Sequence, residues 1–458
     1  MSVPTQENLL ERLRLALDEA TNDGHASVRR MLAREHPADI AAALRELDPD
    51  EALAIFGWLD NRSAAEVLDE LDPELAGYIL EHILASRAAT LLGTLPVDDA
   101  AEVVSEATTD RATQLLADLA RQSPDEAEAV RMALAYPERT AGRLMTDKYA
   151  AVEPTVTAAE ALTYLRSIDA ESLETFSDIF VLDTDGVLVG VCSIRELIVA
   201  SEGASIATFM TRSLVTVAPE TDQEEVARRI SLYDLLTIPV VDEPGRLLGI
   251  ITVDDVLDVL IEEFTEDFLR MAGTDAEEMD QRTPAQVARL RLPWLLGTMA
   301  IELGAGVVIA NFDGVLQRVI LLASFMPVIS AVSGNVGLQA AAIVVRGLDT
   351  GHVSLSRWSR QLGKELTTTL LMAAACGFVL GTIGALWSQH PTFGVVIGVA
   401  MTCSMLTAGV MGTLIPMFSK RFGFDPATTA GPFETAFQDV IGFAVFLWLA
   451  SLLEHWLV

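Results

Sequence analysis

The sequence predicts a multi-domain membrane protein built, in chain order, from an all-α helical solenoid, an α/β tandem repeat and an α-helical transmembrane domain of five spans. Three observations predict it. A Leu-Asp-Pro signal recurs about every 24 residues near the N-terminus, a longer strand-and-helix pattern occurs twice between residues 143 and 264, and apolar runs dominate from Leu292 onward. At 458 residues the chain is too long for one core, since domains run about 100 to 200 residues.

The first repeat reads Leu47-Asp48-Pro49, Leu71-Asp72-Pro73 and Leu95-Pro96, each opening a stretch rich in Ala, Leu and Glu. Asp followed by Pro is a helix start: the carboxylate caps free N–H groups, and proline's fixed φ suits the first helical position. The period holds two short helices, so residues 36 to 120 are expected to stack as a small solenoid.

In the second repeat Leu144-Met145-Thr146 matches Phe209-Met210-Thr211, and Phe180-Val181-Leu182-Asp183 matches Pro239-Val240-Val241-Asp242. The strand-turn-strand that follows also recurs, as Asp185 to Ser193 and as Glu243 to Thr252. The offset shortens along the repeat, which gives the first copy an insertion around Ala170 to Ser177. This pattern resembles a tandem pair of CBS domains. The resemblance implies a cleft for an adenine nucleotide, ATP among them, with a hydroxyl-x-x-acid element on the ribose. That element maps to Thr252 and Asp255, and less well to Ser193 and Glu196.

The apolar runs near 294–311, 319–345, 366–387, 392–418 and 431–453 are long enough to cross about 30 Å of hydrocarbon. Basic residues flank them unevenly. Arg289 and Arg291 precede the first span, Arg346, Arg357, Arg360 and Lys364 follow the second, and Lys420 and Arg421 follow the fourth. The positive-inside rule then expects a multi-pass protein of the cell (inner or plasma) membrane, with its N-terminus in the cytoplasm and its C-terminus outside. Met1 to Arg14 carries no apolar stretch of signal-peptide type, in keeping with a cytoplasmic N-terminal part.

The formal charge of -34 lies wholly in residues 1 to 290, which hold 23 basic and 57 acidic residues; the remainder is neutral. Such a surface repels nucleic acid and attracts cations. Cys192, Cys376 and Cys403 lack metal-ligand spacing and are expected to be reduced packing residues.

Acids inside spans are costly unless they face protein or water, so each is a functional candidate. Here these are Glu302, Glu434 and Asp439. Around Asp439 the sequence is built for irregular backbone: Asp425-Pro426 and Gly431-Pro432 precede it, Thr435 lies one turn before, and Gly442 follows. In the second span Pro327 and Gly334-Asn335-Val336-Gly337-Leu338-Gln339 suggest a second interruption. There glycines either turn carbonyls toward a pore or allow close packing, while Asn335 and Gln339 share one helix face. A hard, oxygen-liganded ion such as Mg²⁺ suits carboxylates that hold it through its water shell, and no His/Cys cluster favours a softer metal.

Just after the second copy, Asp254, Asp255, Asp258, Glu262, Glu263, Glu266 and Asp267 crowd a short stretch. Like charges about 4 Å apart repel by about 4 kcal/mol at an effective dielectric of about 20, so such a helix resists docking until a cation bridges it. The alternative is an acidic face that is merely solvated.

Pro327 to Gln339 and Asp425 to Gly442 resemble the two signature segments of the MgtE family of Mg²⁺ channels and transporters. The order of helical N-domain, CBS pair, connecting helix and five spans is similar too, which expects divisions at 1–130, 131–264, 265–291 and 292–458. The resemblance implies a homodimer that is a transporter rather than an enzyme. Its ion path would run past Asp439, with Asn335, Gly337 and Gln339 contributing and Thr435 and Glu434 nearby. It also implies cytoplasmic Mg²⁺ sites at Asp222, Asp234, Asp255, Asp258, Glu263 and Glu266, with Asp267, Asp98 and Asp99 as further candidates. Ser333 stands where the family often has glycine, and Glu434 is an added acid. The function expected is a Mg²⁺ channel closed by its own ion. A CBS-regulated carrier of Co²⁺ or Mn²⁺ is the nearest alternative, and a chloride carrier is disfavoured by acids in the spans. A membrane-tethered nucleotide or cation receptor is disfavoured by Asp439, which a plain anchor would not need.

Overall fold

The computed structural model describes residues 6–18, 28–168, 173–274 and 283–456. The chain divides into two compact units, Met1–Leu260 and Ile261–Val458.

The first unit opens with α1 (Gln6–Asp18) and continues through α2 (Pro37–Arg45), α3 (Pro49–Phe56), α4 (Asn61–Asp69), α5 (Pro73–His82), α6 (Ala85–Leu92), α7 (Val97–Glu106), α8 (Thr109–Gln122) and α9 (Pro124–Ala135). The starts are those the repeat predicts. Asp48 and Asp72 occupy the N-cap positions of α3 and α5 with proline just inside, and Pro96 precedes α7. Each repeat thus supplies two helices. A finer period underlies it: Ala52, Ala64, Ala76, Ala88 and Ala100 fall at one interval, one per helix, and all are fully buried. A methyl at each such point lets successive helices stack closely, which is how helices of 8 to 10 residues gain stability they lack alone.

After α10 (Ala141–Leu144) come β1 (Ala150–Val152), α11 (Ala158–Ser167), β2 (Asp178–Leu182), β3 (Leu188–Ser193) and α12 (Ile194–Val199). The second copy holds α13 (Gln223–Tyr233), β4 (Thr237–Val241), β5 (Leu247–Thr252) and α14 (Val253–Met271). β1 pairs parallel with β2, β2 antiparallel with β3, and β4 antiparallel with β5. The copies are laced together. Thr146 and Ile250 exchange backbone hydrogen bonds of 2.9 Å, and the hairpin tips pair through Leu188 N–H to Gly245 O at 3.0 Å. Those tips turn at Gly186 (φ 78°) and Gly245 (φ 91°), left-handed positions that only glycine fills cheaply. Cys192 is buried in the core of the first copy, as expected of a packing thiol. Part of the insertion, residues 169–172, lies outside the described residues.

The second unit carries, among the described residues, five helical segments long and apolar enough to cross a membrane: Pro284–Asn311, Leu321–Asp349, Leu355–Ser388, Pro391–Arg421 and Pro426–Leu452. Their helices are α15 (Pro284–Asn311), the short α16 (Asp313–Arg318), α17 (Leu321–Asp349), α18 (Trp358–Ser388), α19 (Pro391–Arg421), α20 (Pro426–Ala430) and α21 (Pro432–Leu452). Phe325 meets Phe393 edge-on at 5.7 Å between α17 and α19, and Trp294 meets Phe433 at 5.4 Å between α15 and α21. Of the expected connecting helix, residues 275–282 lie outside the described residues; from Pro284 it runs without a break into the first span.

Two expectations need correction. The second span is not interrupted: α17 is continuous helix through Pro327 and Gly334 to Gln339. Its glycines serve packing instead. A Cβ on Gly412 of α19 would strike the Gly337 carbonyl, so glycine here sets the closeness of two helices. The third membrane helix also begins earlier than its apolar run, so Glu365, placed just outside a span by sequence, is a buried residue of α18.

Candidate ion path and carboxylate cluster

The break before the last span forms as its prolines and glycine predict. Asp425 caps α20 by accepting from Ala427 N–H at 2.8 Å, and α20 stops at Gly431, whose φ of −97° and ψ of −121° separate it from α21. Two turns into α21 stands Asp439, half-buried, accepting a 2.6 Å hydrogen bond from the Ser330 hydroxyl of α17. Glu302 of α15 lies close enough to share a hydrogen bond with the Asp439 carboxyl. Three helices thus bring two acids and a hydroxyl to one point. Nothing in the sequence links Glu302 and Ser330 to Asp439 except that each is a polar residue in an apolar helix.

The other residues of the expected path divide by face. Asn335 and Gln339 are exposed on α17, and Thr435 is half-buried on α21. Gly337, by contrast, faces inward, where an added Cβ would collide with the Glu434 carboxylate. Glu434 and Gln438, one helical turn apart, are both fully buried, and all four of their side-chain polar atoms lack a hydrogen-bond partner among the described residues. Ser333 and Ser404 lie in the same interior and bond each other at 3.0 Å. A polar seam therefore crosses the packed helices beside the half-buried Asp439, and the small residues Gly334, Gly337 and Gly442 make room for it.

At the N-terminal side of the break, the end of α14 is anchored to the membrane helices. Arg270 pairs with Glu266 and, at 2.9 Å, with Asp425. Arg346 of α17 stacks over Phe264 at 5.3 Å. The Met271 carbonyl abuts Gly431, and Gly273 packs against Pro432 so tightly that a Cβ there would stand 2.7 Å from its ring. Glu266, only 3% exposed, is thereby held in an ion pair; Glu263 and Asp267 are half-buried neighbours on the same helix.

In the first unit Asp98 and Asp99 lie in the first turn of α7, next to Asp255 of α14 and Glu174 of the insertion. Burial, then the charges of Asp255 and Glu174, push the Asp98 carboxyl well above the usual range. Asp99 is raised too, by burial and by Asp98 and Asp69. Burial and Asp255 carry Glu174 to about 7, with Lys148 opposing, and burial lifts Asp255 to about 6 against its hydrogen bonds from Thr252. Asp258, nearer solvent, is raised by burial and Asp254 and lowered by Arg45. One Asp98 oxygen is buried without a hydrogen-bond partner among the described residues. Among the described residues no three acidic, His or Cys side chains are gathered tightly enough to ligate one bare metal ion. Glu174 and Asp69 carry no motif; the only signal of Glu174 is its place in the insertion.

Asp222 and Asp234 cap the two ends of α13, Asp222 by accepting from Glu224 N–H at 2.9 Å and Asp234 in a left-handed conformation at φ 52°. A cleft of about 600 Å³ lies between the two CBS-like copies, lined by Asp178, Ser193, Arg195, Glu196, Asp234 and Thr237 among others. Thr252 and Asp255 are not among its lining residues. Their hydroxyl and carboxylate are joined at 2.5 Å as the cap of α14, and Asp255 faces the acidic cluster. The hydroxyl-x-x-acid element that lines the cleft is Ser193 and Glu196, the weaker of the two by sequence.

Comparison with known proteins agrees with the order of domains. Residues 35–139 match the MgtE intracellular N domain, 141–203 and 206–262 match CBS domains, and 326–449 match the MgtE divalent cation transporter family. The chain is 36% identical over 449 residues to the magnesium transporter MgtE of Thermus thermophilus, covering 97% of this chain and 99% of that protein. It is 34% identical over 334 residues to that of Enterococcus faecalis, covering 73% of each. Among solved structures it resembles the cytosolic domain of the Mg²⁺ channel MgtE in complex with ATP, with a TM-score of 0.51 and 38% identity over 55% of this chain and 99% of that one. The soluble part of a magnesium transporter is similar at a TM-score of 0.50 and 29% identity, over 56% of this chain and 99% of that one. A five-helix multi-pass membrane part, a CBS pair and a helical N-domain in this order, matched along nearly the whole length, make the chain a transporter rather than an enzyme: it belongs to the MgtE family of magnesium transporters.

Proposed function

We propose that the chain forms a homodimeric Mg²⁺ channel whose path passes Asp439 and which closes when cytoplasmic Mg²⁺ is high. One observation carries the reading: the end of α14 lodges against Gly431 and Pro432, the break from which the Asp439-bearing helix starts. Movement of α14 would be felt at the base of the last span. The proposed divisions are a helical N-domain to about residue 130, the CBS pair to 264, the connecting segment to 291 and the pore domain beyond, with the N-terminus cytoplasmic and the C-terminus outside.

Mg²⁺ is the cargo, held at Asp439 through its hydration shell, with Glu302, Asn335, Gln339 and Thr435 beside the path. Mg²⁺ is also the regulator. Asp98, Asp99, Glu174 and Asp255 repel one another when ionised, and a bridging divalent cation turns that repulsion into attraction. Asp222, Asp234, Asp258, Glu263 and Asp267 offer further carboxylates, while Glu266 acts through its ion pair with Arg270. The cleft at Ser193 and Arg195 fits an adenine nucleotide: an arginine for phosphate and acids for ribose hydroxyls line one cavity. The relative solved with ATP supports this. A ligand shifts a gate only by its differential affinity for the two states, which several bridged carboxylates per subunit can supply.

The test is cation flux through the purified chain in vesicles, with Mg²⁺ varied separately on each side. Flux that falls as Mg²⁺ rises on the cytoplasmic side supports the reading. Absence of Mg²⁺ flux refutes the pore, and flux indifferent to cytoplasmic Mg²⁺ refutes the gate.

A further inference from the structure

The connection between α17 and α18 is unusual in a chain with more than twice as many acidic as basic residues. Arg357, Arg360 and Lys364 follow one another along one face at the start of the third membrane segment, and all are exposed. Together with His352, Ser354 and Ser356 they line a cavity of about 710 Å³. Among the described residues none of the three cations forms an ion pair. The acids nearest in sequence are engaged elsewhere: Asp349 pairs with Lys420 at 3.5 Å, and Glu365 is buried and accepts from Thr369 at 3.4 Å. The cavity sits where a membrane helix begins, beside the half-exposed Trp358, an indole of the kind found at headgroup level.

We infer that this cavity holds the phosphate of an anionic phospholipid headgroup from the surrounding leaflet. The chemistry is complementary on each count. Two guanidiniums offer forked donors for phosphate oxygens, Lys364 adds a point charge, and the helix N-terminus adds its dipole. Ser354 and Ser356 supply hydroxyls matched to a glycerol or serine headgroup. Position favours lipid over free anion, because the acyl chains continue down the exposed apolar face of α18, where Leu370, Leu371 and Phe378 face outward. Basic residues at a membrane surface each strengthen anionic lipid binding by roughly fivefold, so the three together amount to about a hundredfold.

The full-length chain in a neutral detergent is titrated with short-chain phosphatidylglycerol, phosphatidylcholine or inorganic phosphate, with binding read from the shift in melting temperature and from lipid adducts in native mass spectrometry. Phosphatidylglycerol is expected to stabilise the wild type and remain bound. R357Q/R360Q/K364Q is expected to weaken that binding by about a hundredfold, while R421Q, at the end of α19, leaves it unchanged. R357K/R360K keeps the charges and is expected to retain most of the affinity. Raising salt from about 0.1 to 1 M is expected to weaken wild-type binding at least tenfold, an arm that needs no variant should the triple change misfold. Equal stabilisation by phosphatidylcholine, binding unaltered in the folded triple variant, or salt-independent binding overturns the site. Stabilisation reproduced by inorganic phosphate alone overturns the lipid assignment.

Discussion

Ser330 donates a 2.6 Å hydrogen bond to Asp439, tying the middle of the second membrane helix to the acid of the last. A hydroxyl that holds one carboxylate oxygen fixes the direction of the other, which is what an ion site needs from its supporting groups. Asp439→Ala is expected to abolish Mg²⁺ flux while the protein stays folded; wild-type flux in that variant would remove Asp439 from the path. Ser330→Ala keeps the charge and loses only its orientation, so a several-fold fall in flux is expected.

Glu302 stands against Asp439 and adds a second carboxyl group to the site. Glu302→Gln is expected to weaken apparent Mg²⁺ affinity roughly fivefold, about 1 kcal/mol, with flux at saturating Mg²⁺ largely retained. An unchanged concentration dependence would assign Glu302 to packing alone.

Gly337 and Glu434 compete for the same space. Gly337→Ala drives a methyl into the Glu434 carboxylate, a clash of the overpacking kind that costs about 1 to 3 kcal/mol. The double change Gly337→Ala with Glu434→Ala should recover much of that loss in thermal unfolding. Purely additive effects would mean that the two do not touch. Glu434→Ala alone is expected to alter selectivity among divalent ions if the buried seam communicates with the path.

The acidic cluster makes a prediction with a definite sign. Asp98, Asp99, Glu174 and Asp255 hold their protons to higher pH when folded than a free carboxylate would, Glu174 to about 7 and Asp255 to about 6. Unfolded, such groups release theirs near pH 4. Between these values the folded state binds more protons, so stability falls as pH rises from about 4 to 7. Without divalent cation, the melting temperature of residues 1–260 is expected to drop across that window and to recover with Mg²⁺, more at pH 7.5 than at pH 5. Asp98→Asn with Asp255→Asn should flatten the slope and, in the full chain, relieve inhibition by cytoplasmic Mg²⁺. A pH-independent wild type would dissolve the cluster as a sensor.

Nucleotide binding separates the two hydroxyl-acid elements. Arg195→Ala, in the cleft, is expected to weaken ATP binding more than tenfold by calorimetry. Thr252→Ala, away from it, is expected to change stability through the α14 cap but leave ATP affinity within about twofold. The opposite ranking would move the nucleotide to the second element.

What the sequence by itself determined is everything that depends on local periodicity. Proline after Asp fixed the starts of α3 and α5, the tandem strand pattern fixed two matching copies, and run length fixed five membrane helices. Gly431 and Pro432 marked the break before the last span because φ limits and a missing donor are properties of those residues alone. Only the tertiary structure decided what faces what. Gly337 packs against Glu434, and Glu302 and Ser330 converge on Asp439 from helices remote in sequence. Asp255 turns from the nucleotide cleft to Asp98 and Glu174. The reason is that a glycine's local pattern is the same whether it bends a helix or admits a neighbour, and a carboxylate's role is set by the charges and burial that other elements bring to it.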